Sequence, residues 1–101
     1  MRNKKVTRVI FKKVWVEYFE AIREGRKKFE LRLADFEIEE GDVLVLQEWD
    51  YRQGIYTGHR LAFRVGYVLK VEDPLFWSKE EIEKYGLQII SLGQPLVSWR
   101  K

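Results

Sequence analysis

The chain contains no cysteine among its 101 residues and only one histidine, His59. The lack of cysteine excludes disulfides, thiolate metal sites and cysteine nucleophiles. One imidazole without cysteine cannot build the usual kind of zinc site, so we predict neither a metal nor a cofactor. A Ser-His-Asp arrangement would also need His59, and nothing else in the sequence supports one. Because His59 follows Gly58 in a glycine-containing segment, we expect a solvated loop histidine.

Long apolar runs, linkers and repeats are also missing. No apolar run approaches the ~20 residues that cross a bilayer. The first ten residues, MRNKKVTRVI, are basic but lack the apolar core of a secretory signal. We therefore expect a cytoplasmic protein without membrane contact. No Ser-, Pro- or Gly-rich stretch divides the chain, which predicts a single domain over residues 1–101, and no glycine-rich phosphate loop is present.

Charged residues are abundant and unevenly distributed. The chain is 46% hydrophobic, 15% aromatic and 35% charged, which suffices for a packed core and is typical of thermophilic proteins. Through Arg32 there are 11 Lys and Arg against 4 Glu, a balance of +7; from Leu33 onward there are 8 against 12, a balance of −4. A basic first third favours a polyanionic partner such as RNA or a nucleotide, although a short charged domain can reach this imbalance by chance.

Apolar periodicity predicts a strand followed by a helix near the N-terminus. Residues 4–13, KKVTRVIFKK, have a β-branched apolar centre typical of a strand. The main helix is predicted at about residues 15–24, with Gly25 as its left-handed end. Its aromatic and aliphatic stripe is expected to face the core; the stripe consists of Trp15, Tyr18, Phe19 and Ile22.

The next segment, residues 27–33, alternates between apolar and charged side chains. One face of this predicted strand carries Phe29, Leu31 and Leu33; the other carries Lys28, Glu30 and Arg32. Lys27 has the parity of the apolar face, so we place it at the mouth of the strand beside the turn. The charged face is either an exposed ladder of ion pairs or the wall of a cleft, in which Glu30 would hold the Arg32 fork towards a phosphate or a base edge.

The remainder of the chain predicts mainly strands. A polar connection with a turn at Gly41 leads to an apolar strand at 43–49, a hairpin loop at 50–59 and an alternating strand at 60–71, with Gly66 as a bulge or corner. A capping box predicts a short helix at about 79–85, followed by a strand at 87–92 and a tail at 93–101. The predicted fold is α+β: a small mixed β-barrel of five or six strands with one main helix and one short late helix.

Two carboxylates lie at the end of the predicted 43–49 strand. Glu48 and Asp50 are two residues apart, so they project to the same side. Such a pair can perform acid–base chemistry when the two environments differ. The alternative is a hairpin end kept soluble by acidic side chains.

The stretch GRKKFELR, residues 25–32, matches the pattern G-x-K-x-x-E-x-R through Gly25, Lys27, Glu30 and Arg32. This pattern resembles the hallmark of the ASCH domain superfamily, which is related in fold to PUA domains. Further patterns resemble the DUF3850 branch of ASCH-like proteins: YFEAIREGRKKFELR, F-x-I-x-x-GD-x-L-x-L-x-E-x-D, G-x-Y-T-G and R-V-x-Y-V. Together they span residues 18–68.

The resemblance implies a PUA-like barrel with a cleft between barrel and first helix. ASCH domains are proposed to bind RNA or nucleotides, which implies a binding role for Lys27, Glu30 and Arg32, with Gly25 shaping the turn. One branch of the superfamily hydrolyses acyl-amide bonds on modified cytidine with the motif lysine and a threonine, where this chain has Glu30. Glu30 cannot act as a hydroxyl nucleophile, and neighbouring Phe29 and Leu31 offer none, but a carboxylate can act as a general base on water.

Three hypotheses follow. The first is a module that binds RNA or a nucleotide, with single-stranded or looped RNA favoured over duplex; its candidate residues are Gly25, Lys27, Lys28, Glu30, Arg32, Trp49, Tyr56 and Arg64. The second is an amidohydrolase acting on a modified nucleoside, with Lys27 activating the attack and Glu30 or Glu48 as the base. The third is an accessory protein-interaction domain in which the motif is purely architectural.

Overall fold

The computed structural model describes residues 6–71 and 77–99 of the chain. These residues form five strands and two helices, in the order that the sequence predicts. The observed bounds differ from the predicted ones for several elements, most of all for β4 and β5. In chain order the elements are β1 (Val9–Trp15), α1 (Val16–Arg23), β2 (Phe29–Leu33), β3 (Val43–Asp50), β4 (Ile55–Val71), α2 (Lys79–Tyr85) and β5 (Leu87–Trp99).

The five strands form one sheet in the order β1-β3-β4-β5-β2. β1 runs parallel to β3, and the other neighbouring pairs are antiparallel. A parallel pair needs a long crossover, and here the crossover contains α1 and β2. The sheet curls so far that a side chain of β2 reaches the backbone of β1, although these two strands are its opposite edges.

Two long strands provide most of the curvature. The β4–β5 ladder shifts register at several points, including between Val65 and Val68, where Gly66 was predicted to form a bulge. Gly93 on β5 lies so close to β4 that an added Cβ would come within 2.9 Å of the Arg64 carbonyl oxygen. The predicted tail at 93–101 is wrong for 93–99, because β5 continues past this shift and pairs again with β4; residues 100–101 lie outside the described part.

The hydrophobic core fills the concave face of the sheet. Leu44 and Leu46 of β3 are almost fully buried there, and α1 contributes Phe19 and Ile22. Ile38, from the connection predicted as polar, is also buried in this cluster. β3 is buried on both faces over Leu44–Leu46, as its continuous apolar run predicted.

The aromatic stripe predicted for the first helix is split by the structure. Phe19 and Ile22 face the core, whereas Trp15 and Tyr18 are 47% and 52% exposed. The expectation that the whole stripe is buried is therefore wrong. Trp15 is the last residue of β1, and Tyr18 lies on the outward side of the first turn of α1, one residue before the buried Phe19.

The late helix agrees closely with its sequence signals. Ser78 and Glu81 form the reciprocal bonds of a capping box, and the helix ends at Gly86, whose φ is +74°. Ile82 is its buried contact with the core. The predicted bounds of about 79–85 are those observed.

The fold is α+β with a five-stranded, curled half-barrel sheet and two helices over the described residues. The prediction of a small barrel with five or six strands is thus confirmed in its coarse form. Within the described part β1 and β2 share no ladder, so the sheet stops short of closure. No helix in the described ranges is both long enough and apolar enough to span a membrane.

Candidate functional site

The turn after α1 positions the first motif residues. Gly25 has φ +82°, its N–H donates to Ile22 O, and Arg26 N–H donates to Ala21 O. This pair of bonds is the Schellman ending, which needs a residue that tolerates positive φ. The Lys27 N–H also donates to Ala21 O, so the backbone of Lys27 is tied to the end of the helix before β2 begins.

Three charged side chains of the motif meet at one buried carboxylate. The Lys27 ammonium donates to Glu30 Oε1 at 3.0 Å, and Arg32 Nε donates to Glu30 Oε2 at 2.8 Å. The Glu30 side chain is only 5% exposed, whereas those of Lys27 and Arg32 are 19% and 24% exposed. Each Glu30 oxygen therefore accepts from a different cation, and both cations keep access to solvent.

The two cations have donors left over. A lysine ammonium has three N–H donors and a guanidinium has five. Lys27 uses one on Glu30 and one on the Phe29 carbonyl oxygen. Arg32 uses Nε on Glu30 and Nη2 on the Lys13 carbonyl oxygen. Glu30 thus fixes the orientation of two positive groups without exhausting their capacity to donate.

The alternation of β2 was predicted, with its charged face left open between an exposed ladder and the wall of a cleft. Glu30 pairs with Ile90 of β5, a member of the core cluster, so the charged face points to the concave side. Phe29 is instead 47% exposed. Lys28, predicted to share a face with Glu30, lies just before β2 with an exposed side chain.

A second polar cluster lies on the same concave face. Glu48 follows Leu44 and Leu46 along β3 with the same parity, and its side chain is 5% exposed. The Thr57 hydroxyl donates to Glu48 Oε1 at 2.6 Å, and His59 Nδ1 lies 3.0 Å from the same oxygen. A buried carboxylate with a hydroxyl and an imidazole on one oxygen can accept a proton or orient a polar ligand.

This cluster corrects two expectations. The 50–59 segment is not a long loop, because β4 begins at Ile55. His59 is therefore a strand residue beside Glu48 and not a loop residue, while its side chain is 45% exposed, as expected. Asp50 does not share the role of Glu48, since its carboxylate caps the turn by accepting from the backbone N–H groups of Arg52 and Gln53. The sequence signal for Glu48 was its parity with the apolar residues of β3.

The two clusters lie near each other at one end of the sheet. Glu48 pairs with Val14 of β1, the residue next to Lys13, whose carbonyl accepts from Arg32. Arg23 at the end of α1 also interacts electrostatically with Glu48 at this end of the sheet. The pKa of Arg23 is raised, chiefly by its hydrogen bond to Glu20 and to a lesser extent by the charge of Glu48.

The predicted stacking residues lie on the opposite face. Trp49 follows Glu48 and points to the convex side, where it pairs with Tyr56; their ring centroids are 4.8 Å apart. The Lys13 ammonium lies 3.7 Å from the Trp49 ring centroid. Trp49 is half-buried and Tyr56 is exposed.

Arg64 is not brought together with the other candidate residues. It pairs with Val43 at the beginning of β3, and its guanidinium donates to the Gly41 carbonyl oxygen. The Lys13 carbonyl oxygen, which accepts from Arg32, lies opposite Gln47, four residues after Val43 along β3. Arg64 is therefore separated from the Lys27–Glu30–Arg32 trio along the sheet.

The acidic side chains and His59 do not gather into a metal-binding group in the part of the chain that the structure describes. Within the described part of the chain, no three His, Asp or Glu side chains lie in an arrangement that could hold a metal ion. His59 has one carboxylate neighbour, Glu48, and a hydroxyl beside it.

Comparisons with known proteins identify relatives of this chain. A family model described as "Domain of unknown function (DUF3850)" matches residues 11–80. The "Uncharacterized 12.9 kDa protein in GpA 3'region" of Escherichia phage P2 is 38% identical over 84 residues, which are 83% of this chain and 69% of the relative. The crystal structure of hypothetical protein PH0355 has a TM-score of 0.64 and 19% identity, covering 89% of this chain and 100% of that one. This last likeness concerns the fold alone. Since the family model matches more than half of the residues, the chain belongs to the family described as Domain of unknown function (DUF3850).

Proposed function

We propose that the protein binds RNA or a nucleotide, and that Lys27, Glu30 and Arg32 form the anion-binding part of its site. The proposal includes membership of the ASCH superfamily with a PUA-like barrel, which the G-x-K-x-x-E-x-R pattern suggests. The observation that supports it best is the buried Glu30 carboxylate, which holds two solvent-accessible cations in fixed positions.

The charges and donors favour a phosphate group as ligand. The trio has a formal charge of +1, from two cations and one carboxylate, and the surplus donors of Lys27 and Arg32 match the acceptor oxygens of a phosphate. Because guanidinium is planar, holding Nε and one Nη fixes the direction of the remaining N–H groups. An exposed ladder of ion pairs would not need a carboxylate that is 5% exposed.

The direct test measures binding of nucleoside monophosphates and short single-stranded RNA at several salt concentrations. Wild type should bind with an affinity that falls as salt rises, and Lys27→Ala or Arg32→Ala should weaken binding at least tenfold. Losing one phosphate contact should also reduce the slope of log K against log salt by about 0.7 for single strands.

A matched control is available beside the motif. Arg26 is a cation with 66% exposure whose partner Glu24 is also exposed, so Arg26→Ala removes the same charge without touching the trio. It should leave affinity within about twofold of wild type. If Arg26→Ala and Arg32→Ala lose the same affinity, the loss reflects net charge and not a specific site. If the wild type binds no nucleotide, the proposal is refuted.

A second candidate function is hydrolysis of an acylated nucleoside, and the Glu48 cluster favours it. The Thr57 hydroxyl donates to the buried Glu48 carboxylate, whereas the Lys27–Glu30–Arg32 motif contains no hydroxyl group. Glu48 would take a proton from water, the resulting hydroxide would attack the acyl carbon, and the C–N bond would break as the proton passes to the amine. Lys27 or Arg32 would stabilise the oxyanion.

This reaction releases a carboxylic acid and an amino-nucleoside, both of which can be quantified by chromatography. Incubation with an acylated cytidine should produce both products, and Glu48→Gln should abolish turnover while Arg26→Ala retains it. Turnover that persists in Glu48→Gln, or that never exceeds the rate in buffer alone, would exclude this second function.

A further inference from the structure

Three aromatic rings form an exposed cluster where β1, α1 and the β3–β4 turn meet. The Trp15 ring centroid lies 4.4 Å from that of Tyr51 and 6.2 Å from that of Tyr18, the latter pair nearly parallel at 16°. The three residues are 47%, 37% and 52% exposed for Trp15, Tyr51 and Tyr18. We call this cluster the aromatic platform.

The platform is held in place rather than buried. The Tyr51 hydroxyl donates to Glu17 Oε2 at 2.9 Å, and Trp15 packs between the two tyrosines. Contiguous exposed apolar surface of this kind is uncommon without an interaction to explain it. Trp15 and Tyr18 follow a spacing that would normally bury them, so their exposure is a feature that the hydrophobic core does not account for.

Two cations lie next to the tyrosine rings of the platform. The Lys27 ammonium lies 5.6 Å from the Tyr18 ring centroid, and the Arg52 guanidinium carbon lies 4.6 Å from that of Tyr51. Glu17 is the acidic neighbour, and it is engaged by Tyr51 and, at 3.7 Å, by Arg52. Rings with exposed faces next to cations complement nucleobases joined by phosphates.

Lys27 joins the platform to the motif. Its ammonium donates to Glu30 and also lies within cation–π distance of Tyr18. A chain of nucleotides with a phosphate at Lys27 and Arg32 would therefore place its neighbouring bases over Tyr18 and Trp15.

We infer that the aromatic platform of Trp15, Tyr18 and Tyr51 stacks the bases of single-stranded RNA that leaves the Lys27–Glu30–Arg32 site. This inference rests on the proposed RNA-binding function and specifies its substrate as a single strand longer than one nucleotide. Bases inside a duplex are stacked on each other and present only their edges, so they cannot stack on these rings.

The test compares a short oligouridylate, uridine monophosphate and an RNA duplex in binding titrations. Trp15→Ala and Tyr51→Ala should weaken oligouridylate binding about 5- to 150-fold, the equivalent of one stacked base at ~1–3 kcal/mol. The same variants should leave uridine monophosphate affinity within about twofold of wild type. Tyr51→Phe keeps the ring but loses the hydroxyl bond to Glu17, so it should bind the oligomer more tightly than Tyr51→Ala does.

Tyr85 provides a matched control on α2. It is 42% exposed, and the Lys84 ammonium lies 5.2 Å from its ring centroid. Tyr85 therefore has the same combination of an exposed ring and a nearby cation, but it lies outside the platform. Tyr85→Ala should bind normally. Circular dichroism and melting temperature of each variant separate loss of binding from loss of fold, and Tyr51→Ala tests the platform independently if Trp15→Ala unfolds.

The outcomes distinguish this inference from the proposed function. Oligouridylate binding that survives both platform variants but is lost in Arg32→Ala overturns the inference and leaves the proposed function standing. Duplex binding that is as tight as single-strand binding and equally sensitive to Trp15→Ala also overturns it. If the wild type binds neither uridine monophosphate nor the oligomer, both the inference and the proposed function fail.

Discussion

Arg32 on β2 donates from Nη2 to the backbone carbonyl oxygen of Lys13 on β1, across the gap between the two edges of the sheet. The same guanidinium donates from Nε to Glu30. A motif side chain therefore links strands that do not share a backbone ladder in the described part of the chain. The residues proposed to bind a ligand also help to set the curvature of the half-barrel.

Arg32→Lys should loosen this link while keeping the charge. Lysine has one nitrogen and cannot reach both Glu30 and the Lys13 carbonyl as a planar fork does. We expect faster amide hydrogen exchange in β1, with protection reduced by about 0.5–1.5 kcal/mol, the net contribution of one hydrogen bond. Arg64→Lys, an exposed arginine that also donates to a backbone carbonyl, should leave β1 unchanged; equal effects would contradict the linking role.

Glu30→Gln should destabilise the fold because two cations lose the charge that holds them. Hydrogen bonds to a buried charged group contribute more than neutral ones, so we expect a decrease of about 1–3 kcal/mol in the free energy of unfolding by urea titration. Glu24→Gln is the control, since its pair with Arg26 is exposed on both sides and should change stability by less than about 0.5 kcal/mol. If the two variants are equally stable, Glu30 is not organising the trio.

Thr57→Val keeps the shape of the side chain but removes the hydroxyl that donates to Glu48 at 2.6 Å. The buried carboxylate then loses one of its two hydrogen-bond partners and keeps only His59, and we expect a loss of about 1–3 kcal/mol in unfolding free energy. Thr7→Val makes the same substitution at an exposed position and should have an effect within about 0.5 kcal/mol. Unaltered stability of Thr57→Val would show that water replaces the hydroxyl.

Gly93→Ala tests the close approach of β5 to β4. The new Cβ would lie 2.9 Å from the Arg64 carbonyl oxygen, a backbone atom that cannot rotate away. We expect a destabilisation of about 1–3 kcal/mol, as for overpacking elsewhere. At Gly66 the nearest atom is instead the Ser91 hydroxyl oxygen at 3.2 Å, so Gly66→Ala should cost less; the reverse order would contradict the geometry.

Tyr51→Phe should alter the titration of Glu17. The pKa of the Glu17 carboxyl lies below its ordinary value, chiefly because the Tyr51 hydroxyl donates to it. A lowered carboxyl pKa means that the interaction is present above the ordinary value and is lost as pH falls through the folded-state pKa. Removing the hydroxyl should shift this pKa upward in an NMR titration of side-chain carboxyl carbons, whereas Tyr67→Phe, at another exposed tyrosine, should not.

Local sequence patterns determined most of the secondary structure. The Gly25 turn, the capping box at Ser78 and the alternation of β4 were all predicted because each depends on residues within a few positions. The length of β5 was missed, since its continuation past Gly93 depends on a long-range ladder with β4. Turn residues such as Pro95 favour a tail when only local preference is considered.

The candidate site was predicted less completely than the fold. The Lys27–Glu30–Arg32 grouping was implied by the motif resemblance, but the burial of Glu30 depends on its remote ladder partner, Ile90 of β5. His59 joins Glu48 because β3 pairs with β4, and the neighbouring ladder pair, Gln47 and Arg60, already sets the register that places them side by side. The exposure of Trp15 depends on where the helix meets the sheet, which no periodicity specifies.

The position of β2 has a consequence for synthesis of the protein. Its ladder partner in the described residues is β5, whose pairing segment, Leu87–Ser91, lies more than fifty residues later in the chain. A nascent chain on the ribosome can pair β1, β3 and β4 while the strand that carries the motif still lacks a neighbour. The Lys27–Glu30–Arg32 trio therefore gains the ladder partner of its strand only after residues 87–91 have been synthesised.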